Sequence, residues 1–196
     1  MKKQFFLFIA VSFISFCTYS QNNSPHLKIG AGLSLGDWAS TDDGWEEDWG
    51  AGANFRAVVY SDKSRFSLSP SYIYFPVSKF NYTYSYSSTS TDIEVDPAMH
   101  YINVEGRFSF VKSPKAESYL FIGPSFLIYK ESVSASNTYA DVSGEDNQFK
   151  TGAITGVGFN LNLSESISIY ADGGYSYIAD DWDQVLITAG VLFRIF

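Results

Sequence analysis

"VLITAGVLFRIF", residues 185–196, closes the chain, and its reading decides the fold. As a strand it places Val185, Ile187, Ala189, Val191, Phe193 and Ile195 on one face, all of them apolar. Leu186, Thr188, Gly190, Leu192, Arg194 and Phe196 take the other face. In a water-soluble sheet the apolar side packs on a core and the polar side meets water. A wetted face normally carries many Lys and Glu, whereas this one carries a glycine, a threonine and one arginine. The small polar residues suit the narrow interior of a closed barrel. The apolar side is then turned to lipid, and Arg194 points inward.

The same period of two recurs upstream. Residues 26–36 set Leu27, Ile29, Ala31, Leu33 and Leu35 against Lys28, Gly30, Gly32 and Ser34. Residues 49–60 set Trp49, Ala51, Ala53, Phe55, Ala57 and Val59 against Gly52, Asn54 and Arg56. Similar alternation runs through 65–75, 100–110, 151–163 and 166–178. An eighth segment, "YLFIGPSFLIY" (119–129), is apolar on both faces and contains Pro124, which cannot donate a ladder hydrogen bond. Its pattern assigns no inward side.

Connections 37–48, 76–99, 130–150 and 179–184 are each longer than the connections next to them in the chain, 61–64, 111–118 and 164–165, in alternation. An antiparallel meander sends alternate turns to opposite ends, and membrane barrels have short periplasmic turns and long external loops. The pattern predicts an all-β fold: an eight-stranded antiparallel up-and-down transmembrane β-barrel with four outer loops and short periplasmic turns. Aromatic placement agrees with girdles at two lipid interfaces. Trp49, Tyr72, Tyr74, Tyr175 and Tyr177 fall near the long-loop end, and Phe66, Phe108, Phe110 and Phe193 near the short-turn end.

The opening "MKKQFFLFIAVSFISFCTYSQNN" has two lysines, an apolar run from Phe5 to Cys17, then small and polar residues. That is the layout of a secretory signal peptide. Residues 1–20 are expected to be cleaved and 21–196 to form the barrel domain, exported to the cell outer membrane. Cys17 is the one cysteine of the chain, so the remainder has no disulfide or thiolate metal site. A net charge of −8 argues against nucleic acid as a partner, since nucleic-acid binding needs a basic footprint.

On these features the chain resembles the small eight-stranded outer-membrane barrels of the OmpA/OmpX type, over residues 26–196. Its C-terminal "TAGVLFRI" is similar to the assembly signal of that family, with Thr188, Gly190, Phe193 and Ile195 at the matching positions and Phe196 one residue beyond. The resemblance implies a monomer among outer-membrane lipids, inserted by the barrel-assembly machinery. Because the sequence ends with the last strand, no periplasmic peptidoglycan-binding domain is expected.

The inferred interior collects Lys28, Arg56, Arg107 and Arg194 with Glu105 and Asp172. Buried charges must be paired, so Glu105 and Asp172 are expected to bridge Arg56 and Arg107 as an internal plug. His26 and His100 are the mature chain's histidines, and "AMHYINV" around His100 has no serine two residues on. No catalytic residue, cofactor or metal is expected. The loops "GDWASTDDGWEEDW" and "ADDWDQ" are rich in Asp and Glu and read as a solvated acidic rim, with divalent-cation binding as the sharper alternative. In "KFNYTYSYSSTSTDIEVD", Phe80, Tyr82, Tyr84 and Tyr86 alternate with polar residues, and Ile93 and Val95 alternate on the return. This predicts two strands protruding beyond the bilayer. Their tyrosine stripe either contacts an extracellular partner or packs on the neighbouring 130–148 loop. The expected role is structural, adhesive or surface-interacting. Alternatives are a narrow channel or porin for small solutes, a lipid-modifying enzyme, and a soluble lipocalin-like periplasmic carrier.

Overall fold

The computed structural model describes residues 25–38, 48–77, 79–86, 89–136, 141–179 and 182–195. Their strands are β1 (His26–Trp38), β2 (Asp48–Tyr60), β3 (Phe66–Pro76), β4 (Phe80–Tyr86), β5 (Thr89–Lys112), β6 (Ala116–Ser136), β7 (Asp141–Asn162), β8 (Ile167–Ile178) and β9 (Gln184–Arg194). Eight of them form an antiparallel ring in the order β1, β2, β3, β5, β6, β7, β8, β9. The ring closes where β9 returns to β1, with Lys28 opposite Arg194 and Trp38 opposite Gln184. Closure is what hydrocarbon demands, because every backbone N–H and C=O in lipid must find a partner within the protein. The expected eight-stranded barrel is the fold this chain adopts.

The dry side of the sheet is the outside. Leu33 is 73%, Ile122 68% and Tyr177 62% exposed, and Phe55, Phe66 and Phe193 are exposed as well. The soluble-carrier alternative, which needs these faces turned inward, is thereby overturned. On β9 the inward side chains are Gln184, Leu186, Thr188 and Leu192, all buried, and Arg194 follows on the same side. Phe193 and Ile195 face out, whereas Phe196 lies outside the described residues. Tyr72, Tyr175 and Tyr177 are exposed near the long-loop end, and Phe66, Phe108 and Phe110 near the short turns. The side chain of Trp49 lies outside the described residues.

The segment without an assignable face is resolved by packing. Along β6, Tyr119, Phe121, Ser125, Leu127 and Tyr129 point inward and are buried, while Leu120 and Ile122 face lipid. The strand is apolar on both sides because its inner side supplies large rings to the interior. An outer cluster joins Phe121, Leu127 and Tyr129 to Ile73, Phe75, Tyr101, Ile178 and Leu186, with Trp182 packed against it. A smaller periplasmic cluster holds Val58, Tyr170 and Leu192.

Glycines on the facing strands make room for these rings. A Cβ at Gly158 would collide with the Tyr119 ring and the Asp172 carboxylate, and one at Gly156 would collide with the Phe121 ring.

One expectation needs correction. Residues 130–150, read as a loop, are instead mostly strand: β6 runs to Ser136 and β7 starts at Asp141, paired throughout. A tilted spanning strand needs about 9–11 residues, whereas β5, β6 and β7 have 24, 21 and 22. Their outer halves, with β4, form a sheet standing above the barrel wall. Alternation of Val133 and Ala135 with Ser132 and Ser134 supports a strand in water as well as in lipid.

Candidate functional site

Between the two apolar clusters lies a layer of charge. Arg56 from β2, Glu105 and Arg107 from β5 and Asp172 from β8 meet in the interior, each at most 5% exposed. Arg56 donates to Glu105 at 3.2 Å and is also paired with Asp172. Arg107 donates to Glu105 at 2.9 Å and stands 3.6 Å from Asp172. Two cations therefore face two carboxylates, so no net charge is left buried. Each guanidinium also lies over an aromatic ring, Arg56 on Tyr170 at 4.7 Å and Arg107 on Tyr119 at 4.5 Å. Tyr119 donates its hydroxyl proton to Asp172, and Thr188 donates to the same carboxylate at 3.4 Å.

Sequence reasoning singled out the four charges but missed Tyr119 and Tyr170, and it selected Thr188 for a different reason. For Tyr119 the missing signal was the facing of 119–129, whereas Tyr170 stands two residues before the inward Asp172 and was legible from the alternation of β8.

Lys28 and Arg194 belong to a separate group at the short-turn end. Lys28 donates to Asn162 at 3.0 Å and Ser168 at 2.7 Å. Arg194 contacts the His26 ring at 2.8 Å, and His26 reaches Asp62 at 3.0 Å. His100 sits on the outer face, bonded to the Tyr72 hydroxyl at 2.7 Å. Neither histidine has a serine hydroxyl among its described contacts. Among the described residues no group of three or more His, Cys, Asp or Glu is arranged to hold a metal ion. The acidic stretches 39–47 and 180–181 lie outside the described residues.

The second site is the sheet above the barrel. β4 pairs with β5, Phe80 opposite Val95, Tyr82 opposite Ile93, Tyr84 opposite Thr91 and Tyr86 opposite Thr89. Val95 is on the inward side of β5 with Met99 and Tyr101, and all three are buried. The stripe positions therefore continue the interior face upward, and Tyr84 is 60% exposed where that face opens to solvent. The side chains of Phe80, Tyr82 and Tyr86 lie outside the described residues.

A bulge sets this facing. Val77 bonds to Pro97 and Phe80 stands opposite Val95, so three steps along one strand match two on the other. The outward face carries Asp92, Glu94 and Asp96. Thr83 donates to Asp92 at 2.8 Å, and Lys79 reaches Glu94 at 3.1 Å and Asp96 at 2.8 Å. Those two acceptors raise the Lys79 pKa above its ordinary value, Asp96 foremost.

Only one side of β4 is paired among the described residues: it ends the sheet order, with β5 as its neighbour. Residues 130–136 pair with β5 on the edge opposite β4, and residues 141–148 pair with β6 in turn.

A family model described as "Outer membrane protein beta-barrel domain" matches residues 6–194. Among solved structures, the attachment invasion locus protein Ail of Yersinia pestis is similar at a TM-score of 0.54 and 18% identity, over 88% of this chain and 99% of that one. A major outer membrane protein from Thermus thermophilus is similar at a TM-score of 0.59 and 9% identity, over 88% of this chain and 100% of that one. At such identities the likeness is one of fold. No curated protein matches the chain in a sequence search.

Proposed function

This chain belongs to the outer membrane protein β-barrel domain family, and we propose that it serves at the outer membrane as a surface-interaction protein whose contact element is the sheet above the barrel. The observation that carries this reading is the edge of β4 that is unpaired among the described residues, held clear of the membrane by the long outer halves of β5 to β7. An open strand edge is a template for pairing with another chain, and tyrosine is enriched where protein surfaces meet. The fold neighbour from Yersinia pestis is named for attachment and invasion, which fits a barrel used as a platform for contacts.

The interior supports a platform better than a pore. Phe75, Leu127 and Ile178 are fully buried across its outer half, and the charge layer fills the space beneath.

The test is adhesion of cells displaying the protein. Serine at Tyr82, Tyr84 and Tyr86 is expected to lower adhesion severalfold while the barrel still shows heat-modifiable gel migration. Unchanged adhesion by the folded triple variant would remove the stripe from the reading.

A further inference from the structure

The chemistry of the β4 edge narrows what it accepts. β4 reads "FNYTYSY" and carries no charge. Native sheets usually guard an exposed edge with Lys, Pro or a very short strand. Here Lys79 precedes the strand and is held by Glu94 and Asp96, so the edge itself is unguarded. The two faces next to that edge differ in kind. Toward the interior side lie the stripe positions with Ile93 and Val95, and toward the outside lie positions 81, 83 and 85 with Glu94 and Asp92 behind them. Ser132, Ser134 and Glu145 extend the outward face in a groove that also contains Lys79.

Segments 37–48, 77–99, 130–150 and 179–184 hold most of the chain's 21 acidic residues, and their only cations are Lys79, Lys130 and Lys150. A segment added beside β4 has one row of side chains on the side of the exposed Tyr84, opposite Thr91 and in line with Ile93 and Val95. Its other row lies beside the hydroxyl and amide row, within reach of carboxylates one strand further in. Neighbouring strands are about 4.8 Å apart, so a lysine or arginine on the added strand spans to Asp92 and Glu94.

We propose that the open edge of β4 takes up an extended segment of a partner protein in which basic and apolar residues alternate, adding it to the sheet as a further strand. The proposal rests on the surface-interaction reading and specifies its partner. A second copy of this chain fits less well. Copies in one membrane present β4 running the same way, in the weaker parallel pairing, and they bring two acidic crowns together.

The test uses the full barrel in zwitterionic nanodiscs and labelled eight-residue peptides. One alternates lysine and valine, one has the same composition as four lysines then four valines, one alternates glutamate and valine, and one is the first peptide with its valine backbone nitrogens methylated. The alternating basic peptide is expected to bind and to slow amide exchange across residues 80–86. The blocked and N-methylated peptides should bind about tenfold weaker or less, since strand addition needs both alternation and backbone donors, and the acidic peptide should not bind. Asp92→Asn with Glu94→Gln keeps an acceptor for Thr83, and should cost about tenfold in affinity.

Equal binding of the ordered and blocked peptides would overturn the proposal, because charge alone would explain it. So would protection of residues 80–86 that grows with protein concentration and needs no peptide, since the occupant is then a second copy. If serine at the three tyrosines abolished adhesion while no peptide bound, the adhesion reading would stand and this partner chemistry would not.

Discussion

Arg107 and Glu105 stand two residues apart on β5 and face the same side, so that Nε and Nη2 of the arginine both donate to Oε2 of the glutamate, at 3.1 and 2.9 Å. The period of two makes this pairing within one strand possible. It leaves Oε1 of Glu105 free to accept from Arg56 across the lumen, and that shared acceptor ties β2 to β5.

Removing one carboxylate should therefore harm more than removing a matched pair. Glu105→Gln leaves Arg56 and Arg107 facing Asp172 alone, and it is expected to cost about 3–5 kcal/mol of stability. The double change Arg56→Met with Asp172→Leu leaves Arg107 and Glu105 balanced, and should cost less than Glu105→Gln. Urea unfolding in detergent micelles measures both. An equal or larger loss in the double variant would contradict the balanced-layer account.

Packing at Gly158 gives a second check. Its missing Cβ is the space taken by the Tyr119 ring and one oxygen of Asp172. Gly158→Ala should destabilise the barrel by about 1–3 kcal/mol through overpacking. Combined with Tyr119→Ala, the loss should fall short of the sum of the single losses, because the two sites share one space. Strict additivity would mean that the ring and the glycine do not meet.

The orientation of the sheet predicts a depth dependence on its outer face. Leu33 is the most exposed of the large outward side chains, near the middle of β1, whereas Phe193 lies near the short-turn end of β9. Leu33→Arg should cost about 2–4 kcal/mol and Phe193→Arg about 0–1 kcal/mol. Similar costs at both positions would argue against hydrocarbon as the surrounding solvent.

Transport offers a fourth test. The outer interior is filled by Ile73, Phe75, Tyr101, Phe121, Leu127 and Ile178, and the charge layer closes the level below. The purified barrel in a planar bilayer is expected to show no steady open-channel conductance in salt. A large stable conductance would show that both layers move aside, and would revive the narrow-channel alternative.

Fold class, strand number and the lipid-facing side were legible in the chain itself. They depend on a local rule, the alternation of side chains about an extended backbone, which holds whichever strands become neighbours. Tail residues such as Phe193 and Arg194 show it, since their relative facing is fixed by adjacency alone. The pattern failed at residues 119–129, where both sides are apolar, and at 130–150, where strand pairing continues above the membrane with only the short alternation of Val133 and Ala135 against serines to mark it.

Tertiary structure alone decided what alternation cannot encode. That Glu105 of β5 meets Arg56 of β2 and neighbours Asp172 of β8 depends on how the ring closes, and so does the separation of Lys28 and Arg194 into their own group. The face of the tyrosine stripe depends on one bulge between Val77 and Phe80. Without that extra step positions 82 and 84 would continue the outward side of Tyr72 and Tyr74; with it they stand on the side continuous with the interior. Registers and bulges are set by pairing between distant segments, so only the assembled sheet fixes them.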